Sequence, residues 1–186
     1  MRRPTTAGLL AADVVRGLAV VSIVVATIGW GPVQLGVFAL AMLGVIVPRA
    51  LGVRSALDLA TGIACLTAAW SNVFELYTTV IGWDKLIHFA LTGCLTALAL
   101  VIAQRSRLLP GVGDHRIGFA VVATIAGLGL GAVWEMLEWA GHSFISPGIF
   151  VGYVDTIGDL AADGLGGLFA GVFASALLAR PTSTAG

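Results

Sequence analysis

The chain has 186 residues, 58% of them hydrophobic and only 11% charged, with a mean hydropathy of +0.99. No soluble core of this length needs so much apolar material, so the composition is that of an integral membrane protein. The formal net charge is zero at pH 7, which excludes a strongly basic nucleic-acid surface and leaves charge placement as the informative feature.

About 20 apolar residues cross a bilayer core of roughly 30 Å. The pattern predicts an all-α, polytopic transmembrane helix bundle, one integral membrane domain over residues 1–186. About six spans are expected, near 14–30, 33–47, 56–74, 86–103, 117–138 and 157–179. The N-terminal "MRR" before an apolar run imitates a signal peptide, but Asp13 and Arg16 interrupt it, and a retained helix is expected. The tight turn "GWGPVQ" separates the first two spans. Cys65 and Cys94 lie within apolar runs and read as small buried side chains.

Six spans place both termini on one side of the membrane. Arg2, Arg3, Arg16, Arg49, Arg54, Arg105, Arg107, Arg116 and Arg180 fall on that side, and only Lys85 falls on the other. The positive-inside rule makes the termini cytoplasmic. All five tryptophans and both tyrosines are read at span ends on the opposite side, where amphipathic rings favour the interface. Asp13, Asp58 and Asp114 are cytoplasmic, each with a nearby arginine (Arg16, Arg54 and Arg116) for local pairing.

The other seven acids, Glu75, Asp84, Glu135, Glu138, Asp155, Asp159 and Asp163, gather at the outer ends of spans three to six. Asp84 and His88 are four apart at the outer start of span four. Glu135, Glu138 and His142 follow at the outer end of span five, with His142 expected in the loop. Asp155, Asp159 and Asp163 open span six at intervals of four, so they share one helical stripe, and Asp163 lies about 12 Å along the helix from Asp155. A charged aspartate near mid-membrane costs roughly 2.5–3.5 kcal/mol. Protonation, a basic partner or a bound cation relieves that cost. A divalent metal (Mn, Mg, Ca or Zn) is the expected cofactor, because oxygen-rich sites with one or two nitrogens suit these ions. Asp84, His88, Glu138, Asp155, Asp159 and Asp163 are the candidate ligands, and His88, Glu135 and Glu138 the candidate catalytic groups.

Each group also has a purely structural explanation. Thr156 is placed to cap span six, with Asp159 at its third position, which accounts for Asp155 and Asp159 but not for Asp163. Asp84 is placed to cap span four and pair with Lys85, and the two glutamates to sit at the interface beside Trp134 and Trp139. Gly127/Gly131 and Gly167/Gly171 have the small-xxx-small spacing of close helix contacts. The apolar loop "SFISPGIFVGY" is expected to roof the site, with Ser146-Pro147-Gly148 as its hinge.

The stretches "WDKLIHFALTG", "WEMLEW" and "GYVDTIGDLAADGLGG", in that order and spacing, resemble the small bacterial inner-membrane proteins of the YjdF-like family, over roughly residues 70–175. A looser likeness extends to VanZ-like proteins, from which the chain departs at Glu138, where glutamine is usual, and at Asp163, where asparagine is usual. The resemblance implies a multi-pass protein of the bacterial cytoplasmic membrane, and the VanZ-like one points to the cell envelope. Three functions stand open: a metal-dependent hydrolase or transferase acting on a lipid or polyprenyl-phosphate head group, a proton- or cation-coupled transporter, and a non-catalytic subunit of a larger membrane complex. Membrane lipid is the expected partner, with a homodimer or larger complex also in view and nucleic acid excluded.

Overall fold

The structure is a computed structural model that describes residues 6–109 and 116–174. Helices are the only regular elements among the described residues: α1 (Thr6–Trp30), α2 (Val33–Ala50), α3 (Ser55–Val73), α4 (Leu76–Thr79), α5 (Trp83–Arg105), α6 (Arg116–Phe144) and α7 (Tyr153–Val172). Each of the six predicted spans corresponds to one helix, except that the end of the sixth, like Arg2, Arg3, Asp114 and Arg180, lies outside the described residues. Among the described residues four helices, α1, α2, α5 and α6, are long and apolar enough to cross a membrane by length and composition. α7 carries three aspartates in its twenty residues.

The helices outrun the predicted spans at their acidic ends. α5 begins at Trp83, α6 continues to Phe144 and α7 begins at Tyr153. Hydropathy falls where charges appear, but the backbone hydrogen bonds continue. Every acid of the three motifs is therefore on a helix, and His142 lies in α6, not in the loop. α4, a single turn after Glu75, is an element the apolar pattern does not reveal.

The described chain divides into two compact units, one ending at Ile81 and one running from Gly82 to Ala174. In the first, α1, α2 and α3 pack on one another, and Gly31, at φ +98°, makes the turn between α1 and α2. Ala26, Phe38, Ala69 and Val73 form its core. Trp70, in the last turn of α3, packs against that core, and its indole N–H donates to Ser22 Oγ at 3.1 Å. Arg16 joins Asp13 at 2.8 Å, as expected, and also reaches across to the buried carboxylate of Asp58 on α3.

In the second unit α7 packs against both α5 and α6. Its buried stripe holds Asp159, Ala162, Asp163, Gly166, Gly167, Ala170 and Gly171, while Leu165, Leu168, Phe169 and Val172 are exposed. Small residues let the backbones meet. A Cβ on Gly167 would lie 3.0 Å from the Cα of Gly127, and one on Gly93 would lie 3.2 Å from the carbonyl oxygen of Gly166. The small-xxx-small pairs are thus the contact surface between α6 and α7.

Candidate metal centre

His88 is the hub. It sits in the second turn of α5, 7% exposed, and its two ring nitrogens face different partners. Nδ1 lies 3.2 Å from both carboxylate oxygens of Asp163 on α7. Nε2 lies 3.6 Å from Asp84 Oδ1, one turn back on α5. A carboxylate oxygen accepts hydrogen bonds, so with the ring proton on Nδ1 the imidazole donates to Asp163, and a neutral ring of that tautomer has its lone pair on Nε2. Thr92, one turn deeper on α5, donates its hydroxyl to Asp163 Oδ1 at 2.5 Å.

Asp163 is completely buried, and the space it fills is made by glycine. A Cβ at Gly131 on α6 would overlap the Asp163 carboxylate. The glycine that lets α6 approach α7 therefore also admits the acid that binds His88.

Two overlapping sets of side chains bring donor atoms within 4.8 Å of one another: Asp84, His88 and Asp159, and His88, Glu135 and Glu138. Asp159 is 1% exposed, and its Oδ1 makes no hydrogen bond. Glu135 accepts a hydrogen bond from Thr156 at 2.7 Å through Oε2, while its other oxygen is buried without a partner. Buried carboxylate oxygens without donors are costly, and a cation satisfies several of them together.

The two capping expectations need correction. Thr156 lies inside α7, whose cap is Gly152 with no side-chain hydrogen bond, and its hydroxyl is committed to Glu135. Asp84 does not cap α5 either, since the helix starts at Trp83 after Gly82. Lys85 reaches over to α7 and lies 3.6 Å from Asp155 and 3.7 Å from Asp159. Asp155 and Asp163 belong to neither donor set. His142 Nδ1 lies 2.6 Å from the carbonyl oxygen of Ile149, so it fastens the loop after α6. Glu75 is an exposed residue of the first unit, at φ 56° in the left-handed region. Thr92 and Thr156 are site residues the motif reading did not select. Thr92 continues the four-residue spacing of Asp84 and His88, and that spacing was the available signal.

A family model described as a predicted membrane protein (DUF2238) matches residues 9–180. The chain belongs to this family. The YjdF-like resemblance drawn from the three motifs is to the same family. No curated protein and no solved structure matches the chain. Within this DUF2238 member, every residue of the two donor sets lies in the second unit, on α5, α6 and α7.

Proposed function

We propose that this protein holds one divalent cation at the extracytoplasmic end of α5, α6 and α7, where it serves chemistry on a phosphate-bearing lipid or polyprenyl head group. The observation that carries the reading is the two-sided environment of His88. Asp163 pairs with Nδ1, and Nε2 faces Asp84. A metal-bound histidine typically has this arrangement, with a carboxylate behind the ring fixing its orientation and raising its basicity. In this reading Asp84, His88, Asp159, Glu135 and Glu138 are the ligand set, and Asp163 is the positioning residue behind His88 rather than a ligand. Asp159 Oδ1 is buried without a hydrogen bond, its only ion-pair partner among the described residues being Lys85 Nζ at 3.7 Å, which is a second sign that a closer positive occupant suits the site. Oxygen donors with a single imidazole suit Mn, Mg or Ca, or Zn that keeps water.

A bound cation of this kind polarises a phosphoryl oxygen and lowers the pKa of water. Of the two glutamates, Glu135 is oriented by Thr156, and Glu138 is the one assigned to exchange a proton with substrate. The reading includes six spans with both termini cytoplasmic, in the bacterial cytoplasmic membrane. α3 and α7 then cross alongside the four more apolar helices, and the outer end of α7 lies among head groups. The VanZ-like likeness supports an envelope role.

The experiment is metal analysis of detergent-purified protein, with thermal unfolding followed as divalent ions are added. About one ion per chain is expected, and at 100 times Kd the ion stabilises the fold by about 2.7 kcal/mol. H88A and D159N should lose both effects. Protein that folds normally, holds no metal and gains no heat stability from Mn, Mg, Ca or Zn overturns the proposal.

A further inference from the structure

We infer that Lys85 and the divalent cation are alternative partners of Asp159, and that Asp155 is where the lysine ammonium rests when the cation is bound. The inference rests on the cation site proposed above and concerns how that site is filled. Lys85 is the only lysine in the chain. Its Nζ lies 3.7 Å from Asp159 Oδ1 and 3.6 Å from Asp155 Oδ1, so it sits between the two acids without a close hydrogen bond to either. The acids differ in what else they face. Asp159 has a side chain only 2% exposed and belongs to a donor set with Asp84 and His88. Asp155 is one turn outward on α7, 29% exposed and outside both sets.

The path of the lysine stem is built into α7. Lys85 passes over Gly158, where a Cβ would come within 2.5 Å of Lys85 Cε and 3.1 Å of Nζ. Any larger residue there would push the ammonium off the acids. With glycine, the flexible four-carbon stem slides along the groove. An ammonium and a divalent ion cannot share one buried carboxylate at close range without strong repulsion. The ion has several ligands and the lysine has one long tether, so the lysine moves. It moves toward Asp155, the only other acid paired with it among the described residues, and toward solvent, where Lys85 is already 47% exposed. Lys85 is then a tethered counter-ion that compensates the buried aspartate and sets the affinity threshold for the metal.

The single lysine makes the test specific. Detergent-purified protein is treated with an amine-acylating reagent, with and without saturating Mn, and modification of the Lys85 peptide is read by mass spectrometry. Labelling is expected to accelerate with Mn in the wild type and to be unaffected by Mn in H88A. Titration should show K85M binding Mn about tenfold more tightly than wild type, with K85R staying near wild type. Unchanged or slower labelling on Mn binding overturns the exchange, even if K85M binds more tightly, because loss of a nearby positive charge alone would tighten binding. Failure of the wild type to bind Mn, Mg, Ca or Zn defeats the cation site itself. Wild-type binding with unaltered labelling defeats only the role of Lys85.

Discussion

Asp163 and His88 stand 75 residues apart in sequence, on α7 and α5, and meet inside the second unit with both carboxylate oxygens 3.2 Å from the imidazole Nδ1. The contact fixes the ring, and Thr92 fixes the carboxylate in turn. Removing the acid should leave the ligands in place but let the ring turn. D163A is expected to lower divalent-ion affinity about 10–100-fold, the usual cost of losing a carboxylate behind a metal-bound histidine. D163N retains an oxygen that can accept a hydrogen bond from Nδ1–H and should lie between D163A and wild type. Titration of folded, monodisperse protein with Mn is the measurement. Equal affinities for all three proteins would exclude the positioning role of Asp163.

Gly131 and Gly129 are two residues apart on α6 and should respond oppositely to alanine. A Cβ at Gly131 would overlap the Asp163 carboxylate, whereas Gly129 has nothing within 4 Å of an added Cβ. G131A is expected to destabilise by about 1–3 kcal/mol, as overpacked cores do, and to weaken cation binding because Asp163 must move. G129A should fold normally, with a gain of up to about 0.5–1 kcal/mol from the better helix former. Thermal unfolding in detergent distinguishes them. Similar unfolding temperatures for the two variants would mean that the packing at Asp163 is looser than the contact indicates.

Much of the fold is legible in the sequence, for reasons tied to particular residues. The apolar runs located six helices because only long hydrogen-bonded apolar segments suit lipid. The four-residue intervals of Asp155, Asp159 and Asp163 put the three on one stripe because the helical period does so. Partner choice across helices was not readable. Asp84 and Lys85 are neighbours in sequence, but consecutive residues on a helix diverge, so Asp84 faces His88 while Lys85 reaches α7. Thr156 has the composition of a cap, yet α7 starts a turn earlier and presents its hydroxyl to Glu135. Spacing along α7 groups Asp163 with the other acids but does not say which imidazole nitrogen it meets.

The proposed six-span topology makes a prediction within the second unit. In a background lacking Cys65 and Cys94, a cysteine at Ser146, after α6, should react in intact cells with a membrane-impermeant maleimide. One at Ser106, after α5, should react only once the membrane is permeabilised. Both positions follow helix ends, so helix geometry should not limit access. The reverse pattern would put the acidic site on the cytoplasmic side and exclude an extracytoplasmic head group as its substrate.

Thr92 and Thr96 lie one turn apart on α5, both buried, and valine should affect them in opposite directions. Three other buried or half-buried helical threonines satisfy themselves on the carbonyl four residues back: Thr27 on Ile23 at 2.6 Å, Thr61 on Leu57 at 2.8 Å and Thr124 on Ala120 at 2.9 Å. Thr92 instead gives its proton to Asp163, and the Thr96 oxygen has no partner. Valine has almost the same shape as threonine, so the substitution isolates the hydroxyl. T96V removes an unpaired buried polar group and should stabilise the fold by about 1 kcal/mol, with cation affinity unchanged. T92V strips a donor from a buried carboxylate and should cost about 1–3 kcal/mol and weaken cation binding. Unfolding temperatures with and without saturating Mn read both effects. If T92V proved as stable and as tight-binding as wild type, the hydroxyl would not be holding Asp163, and the ordering of His88 from behind would have to come from packing alone.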